Sequence, residues 1–153
     1  MTVYVDGDAC PVKAEAYRVA ARYAIPVVIV ANTPLRVPDG GGVTFLHVPG
    51  GPDVADDWIA EAAGPGDVVA TADLPLAGRA LARGAIAIDF RGVEFTPAAI
   101  GDLLAAREIA RVLRATDFYA AGPKPFDQQA RGRFSGKLDE VINRVLRRSR
   151  DAQ

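Results

Sequence analysis

Five short apolar runs alternate with helical segments along the 153-residue chain, and this alternation limits the fold more than any other feature. The runs lie at residues 2–6, 26–31, 43–48, 67–71 and 85–89. They are almost continuously apolar, as strands covered on both faces are. Helical periodicity follows Pro11, where Val12, Ala16, Val19 and Tyr23 share a face. A proline suits the first turn of a helix because its missing N–H is not needed there. Further helices are expected over 53–63, from Pro75 to about Arg83, over 97–115 with Thr96 as cap, and from about Ser135 onward. Residues 116–134 read as loop. The expectation is one α/β domain over 1–153, with a mostly parallel sheet of about five strands and helices on both faces. Residues 116–153 would add a loop and a basic C-terminal helix packed on it. One joint departs from the rule: only eleven residues, 32–42, link the second and third runs. That is short for a parallel crossover, so the third strand is either antiparallel or joined unusually.

The first run ends in two aspartates, in VYVDGDACP (residues 3–11). Side chains two apart on an extended chain share a face, so Asp6 and Asp8 point the same way and repel. In open α/β sheets ligands bind outside the carboxyl ends of the strands, where strand order reverses. Asp73 in TADLP (71–75) follows the fourth run. If the first and fourth strands are neighbours, three carboxylates meet at one rim. Asp53, Asp56 and Asp57 open the helix after the third run, on the same rim, and Asp53 shares a face with Asp56 or with Asp57. Each also has a structural reading: Asp73, Asp53 and Asp8 can cap helices, and Asp56 and Asp57 favour a helix dipole. Together, with no histidine or cysteine cluster, they describe an all-oxygen site suited to Mg²⁺ or Mn²⁺. Such a site serves phosphoryl chemistry. The glycine runs 40–42 and 50–51 lack the lysine of a Walker loop.

Other residues can support this rim. Asn32 ends the second run and either orients a ligand or forms a turn. Thr71 can bond a phosphate or simply be a strand residue. Cys10 lies near a helix start but has no paired histidine, so it reads as a buried thiol. His47 reads as structural. The single cysteine excludes an intrachain disulfide framework, no apolar run approaches the ~20 residues of a membrane span, and the N-terminus does not resemble a signal peptide; a cytoplasmic location is expected. Charge is divided unevenly. Residues 1–100 carry 7 basic and 12 acidic side chains, and residues 101–153 carry 11 and 7. GPKPFDQQARGRFSGK (122–137) combines Lys124, Arg131, Arg133 and Lys137 with Phe126 and Phe134. Such a segment can hold phosphates and stack bases, making RNA an expected partner, or its phenylalanines can dock the last helix.

VDGDACP (5–11), VAN (30–32), DVADD (53–57), TADLPLA (71–77), RG (91–92) and the late GP (122–123) together resemble the bacterial YaiI/YqxD family, over nearly the whole chain. That resemblance implies a PIN-like nuclease fold with an acidic divalent-metal site for cutting RNA or DNA. It carries Asp6, Asp8, Cys10, Pro11, Asn32, Asp53, Asp56, Thr71, Asp73 and Arg91 as pattern positions. Asp6, Asp8, Asp56 and Asp73 would be catalytic, with Asp53 joining them around the metal and Arg91 in support. Gly7 stands where alanine is common, Ala121 where glycine is, and Ala130 where an acidic residue precedes Arg131. The usual PIN helix glutamate is absent, so Asp53 or Asp56 would serve. Two other readings stand beside the nuclease: a non-catalytic RNA-binding or regulatory protein with a residual acidic site, and a haloacid-dehalogenase-like phosphatase suggested by DGDAC. The phosphatase reading needs a lysine and an acidic pair after Thr71, and no such pair follows.

Overall fold

The structure is a computed structural model that describes residues 1–115 and 126–152. In chain order it contains β1 (Val3–Asp6), α1 (Lys13–Arg22), β2 (Val27–Ala31), β3 (Val43–His47) and α2 (Pro52–Ala62). These are followed by β4 (Val68–Ala70), α3 (Leu74–Ala82), β5 (Ile86–Ile88), α4 (Pro97–Ala115) and α5 (Gln128–Asp151). The five strands form one sheet in the order β3-β2-β1-β4-β5, with every neighbouring pair parallel. The outer edge of β5 is closed by an antiparallel bridge between Ile88 and Glu94. No helix among the described residues is long and apolar enough to cross a membrane.

The pleat divides the strands between two cores. Val3, Val5, Val27, Ile29, Val68 and Ala70 face one side, against Ala16 and Val19 of α1 and Phe134, Leu138, Val141 and Ile142 of α5. Val30, Val69 and Ala87 face the other, against Ile59 of α2, Leu76 and Ala80 of α3, and Ile100 of α4. The result is a three-layer α/β architecture.

The direction of the third strand, open from sequence, is parallel: Val27 lies opposite Val43 and Ala31 opposite His47. The eleven-residue link contains no helix. Leu35 and Val37 pack on the α1 side of the core, so the loop crosses a sheet face as a helix would. Gly40, Gly41 and Gly42 then turn the chain with φ of 81°, 68° and 78°, a run of left-handed backbone that side chains tolerate poorly.

Two helix starts differ from expectation. α1 begins at Lys13, with Val12 as its cap, so Pro11 precedes the first turn. α5 begins at Gln128, seven residues before Ser135, and residues 128–134 are helix instead of loop. Asp127 caps this earlier start, accepting from Ala130 N at 2.9 Å, and Ala130 and Phe134 extend the buried face. Gly132 and Gly136 obscured the helix in sequence, since each costs about 1 kcal/mol of helix propensity. Thr96 caps α4 as expected, accepting from Ala99 N at 3.1 Å.

Gly92 explains the RG pair. A Cβ there would lie 2.4 Å from Arg133 O and 2.9 Å from Phe134 N. With φ at +86°, only glycine lets α5 seat against the turn after β5. At Gly7 a Cβ would meet Ile29 Cγ2 at 2.7 Å, so the common alanine would demand repacking of that neighbour. Gly92→Ala is expected to destabilise the protein by roughly 2–4 kcal/mol, combining backbone strain with overpacking. Gly66→Ala, with the same φ of +86° and nothing within 4 Å, should cost only the strain, about 1 kcal/mol. Urea unfolding midpoints measure both, and equal losses would refute the close-approach argument.

Candidate functional site

The chain runs outward through β1, β2 and β3, then returns to the other side of β1 as β4. Strand order therefore reverses between β1 and β4, and their carboxyl ends form the crevice where α/β sheets bind ligands. Asp6 is the last residue of β1 and Thr71 follows β4 directly. Thr71 is fully buried. Its hydroxyl accepts from Asp73 N at 3.0 Å and donates to Asp6 Oδ2 at 2.9 Å. Because the backbone N–H must donate, the hydroxyl proton is directed at the Asp6 carboxylate. Thr71 is thus committed to holding Asp6 and Asp73 together.

Burial raises the Asp6 pKa above 3.8, and the charges of Asp8 and Asp73 raise it further, while the Thr71 and Asp8 N–H bonds oppose the rise. Asp73 also fulfils its capping role, accepting from Leu76 N at 2.8 Å through Oδ1. Asp8 accepts from Asn32 N at 2.8 Å and from Thr33 Oγ1 at 3.0 Å, one bond on each oxygen. These bonds tie the end of β1 to the loop after β2. The side-chain oxygen of Asn32 accepts from Gly51 N at 3.0 Å, and its carbonyl contacts His47 Nε2 at 2.8 Å. Asn32 thereby sets where α2 begins, and His47 is part of that structural link.

Asp53, Asp56, Asp57, Asp73 and Arg79 line a cavity of about 300 Å³ between α2 and α3. Asp57 is turned toward Arg79, with Nη1 to Oδ1 at 2.6 Å. The Asp56 pKa is pushed up to about 6, chiefly by burial, then by the charges of Asp6, Asp73, Asp53 and Asp57. Among the described residues no cation is paired with Asp6, Asp53, Asp56 or Asp73. Nor are three or more His, Cys, Asp or Glu side chains placed there so as to hold an ion as they stand. The donor chemistry therefore fits a hard cation, while a closed ligand sphere is not preformed.

Cys10 is buried, and burial pushes its thiol up to about 11, which leaves it protonated and unreactive. Arg91 donates its backbone N–H to Asp89 at 2.9 Å, and its guanidinium lies 5.3 Å from the Phe126 ring centre. Arg131 covers the same ring at 5.2 Å, donates to Pro11 O at 2.6 Å, and pairs with Glu15 at 3.3 Å. It fastens α5 to the start of α1. Phe134 is fully buried in the core and Phe126 is half-buried against it, which favours the docking role for both. Arg133 is exposed, and Lys124 lies outside the described residues.

The basic C-terminal region is not a single surface beside the acidic rim. α5 runs alongside α1 in the same direction: Arg131 meets Pro11 at one end, and Asn143 donates to Tyr23 Oη at 2.9 Å at the other. Arg147, Arg148 and Arg150 therefore sit at the pole away from the rim, while only the beginning of α5 lies near it. Sequence reasoning also missed Arg79. Its signal was the i, i+4 spacing from Pro75, which puts both on the cavity face of α3.

Fold and site together define a PIN-like α/β domain with an acidic rim at its switch point. The family model described as "Uncharacterized BCR, YaiI/YqxD family" matches residues 4–144, and the chain belongs to that family. A UPF0178 protein of Rhodospirillum centenum is 47% identical over 151 residues, covering 96% of this chain and 98% of that one. Another, from Ruegeria pomeroyi, is 48% identical over 154 residues, covering 99% and 98%. A third, from Azorhizobium caulinodans, is 48% identical over 147 residues, covering 96% and 92%. No solved structure matches the chain.

The raised pKa values set a sign for pH dependence. Between 3.8 and about 6 the folded protein holds a proton on Asp56 that the unfolded chain has released. Metal-free stability should therefore fall as pH rises through that window. Asp56→Asn should flatten this fall and raise Tm at neutral pH. Calorimetric melts at about pH 5 and pH 7 check it, and an unchanged pH slope in the variant would contradict the assignment.

Proposed function

We propose that this protein is a divalent-metal-dependent nuclease hydrolysing phosphodiester bonds, with RNA as substrate. The observation that carries this reading is the gathering at the switch point of carboxylates with no cation partner among the described residues, where burial and then neighbouring carboxylate charges raise the pKa of Asp6 and of Asp56. Such mutual repulsion destabilises an empty site and is relieved by a cation. Asp6, Asp56 and Asp73 are the residues to hold Mg²⁺ or Mn²⁺, with Asp53 beside them on α2. When bound, such an ion supplies Lewis-acid charge for phosphate oxygens and for the attacking water. Thr71 keeps Asp6 and Asp73 in fixed relation. Asp8, anchored through both oxygens, adds negative charge near Asp6 and fixes the start of the β2–β3 loop.

A second reading, an RNA-binding protein with a residual acidic site, draws on the lack of a preformed ligand sphere among the described residues. Turnover separates the two. Titration calorimetry should detect Mn²⁺ binding, weakened at least about 10- to 100-fold in Asp6→Asn and Asp73→Asn, by analogy with losses at metal-supporting residues. Mn²⁺ should raise Tm more at pH 7 than at pH 5, because protons compete for the same carboxylates. Single-stranded RNA should be cleaved with Mn²⁺ and spared with chelator. RNA bound but never cleaved would favour the binding protein.

A further inference from the structure

Arg79 is a cation set into an acidic wall. Its guanidinium lines the α2–α3 cavity with Asp53, Asp56, Asp57 and Asp73. It spans to Asp57 at 2.6 Å, and the two side chains are 46% and 58% exposed. An ion pair this exposed contributes little to stability. The bond to Asp57 runs through Nη1, one of the nitrogens of a five-donor fork. A phosphodiester entering the cleft would face Asp53, Asp56 and Asp73, and one divalent ion cannot offset all of that charge. A guanidinium on the opposite wall can grip two phosphate oxygens through parallel N–H donors.

The geometry points to Arg79 as the residue that takes a backbone phosphate of single-stranded nucleic acid in the α2–α3 cleft, releasing Asp57 as it does so. This rests on the nuclease reading above and adds to it a substrate-positioning residue and a track for the strand. A cleft of about 300 Å³ has room for part of one strand. Asp57 acts here as an internal competitor. It occupies the guanidinium in the free protein, so binding must displace it and the apparent affinity is lowered accordingly. A mere strut between α2 and α3 would behave differently: losing either member would loosen the helices, with no opposite effects on nucleic acid.

The test is fluorescence anisotropy of a labelled single-stranded oligoribonucleotide with the full chain in Mn²⁺, on ice, over a series of salt concentrations, with gels to verify the oligonucleotide is intact. Arg79→Ala should bind roughly three- to tenfold more weakly, and its slope of log affinity against log salt should be shallower by about 0.7, the share of one phosphate contact. Arg79→Lys should restore the slope and only part of the affinity, since a point charge cannot grip two oxygens. Asp57→Asn should bind more tightly than wild type, and the gain should vanish in Asp57→Asn/Arg79→Ala. Calorimetric Mn²⁺ affinity in Arg79→Ala should be no weaker than in wild type, since a positive charge has left the acidic wall, showing that the acidic rim is intact. Wild-type affinity and slope in Arg79→Ala, or weaker binding in Asp57→Asn, overturns the inference while leaving the nuclease reading standing if cleavage persists. A wild-type protein that neither binds nor cleaves single strands removes both.

Discussion

The hydroxyl of Thr71 accepts from the Asp73 N–H and donates to the Asp6 carboxylate, and the rim is arranged around those two bonds. They are possible because β1 and β4 are parallel neighbours, with Val5 opposite Ala70, so the residues that follow end side by side. A buried hydroxyl with both roles satisfied costs nothing further, whereas a buried acceptor deprived of its donor is expensive. Thr71 therefore fixes Asp6 and offsets part of the pKa rise that burial imposes on it, and it fixes the backbone from which Asp73 caps α3. Asn32 does the same on the other side, joining Asp8 to the loop after β2 and setting the position of Gly51 where α2 begins. Two uncharged residues, Thr71 and Asn32, thus tie together the end of β1, the β4–α3 turn and the start of α2, from which the carboxylates come.

The C-terminal helix is held by a different set of contacts. Phe134, Leu138, Val141 and Ile142 complete the core on the α1 side. Gly92 permits the backbone approach, and Arg131 ties the start of α5 to Pro11 and Glu15. Arg144 pairs through two bonds, at 2.8 and 3.0 Å, with Glu94, the residue that bridges to β5. Arg131, which the sequence offered for a phosphate, is engaged in this docking. The consequence is electrostatic polarity: carboxylates gather at the carboxyl rim of the sheet and the arginine-rich end of α5 at the opposite pole.

Much of the fold was legible because its signals are local. Near-continuous runs such as PVVIVA mark strands buried on both faces, and helical spacing marks what covers them. Element ends agreed with the structure to within a residue or two, except where glycines diluted the helical signal, as at Gly132 and Gly136, and where Pro11 suggested a start that Val12 supplies. The parallel β2–β3 pair was not legible, because a loop can replace a crossover helix only if Leu35 and Val37 find the core.

The sequence by itself determined the alternation of strands and helices, the placement of Asp6, Asp8 and Asp73 at strand ends, and the oxygen-only character of the candidate site. These follow from side-chain periodicity and residue chemistry, which need no knowledge of distant contacts. Tertiary structure decided which of those groups act together. Strand order made Asp6, Asp56 and Asp73 share one field. The packing of α2 on α3 turned Asp57 toward Arg79, and the seating of α5 on α1 committed Arg131 to Pro11. Each depends on residues far apart in the chain coming within a few ångströms, and charge and hydrogen-bond energies at that range are set by geometry that a local pattern does not encode.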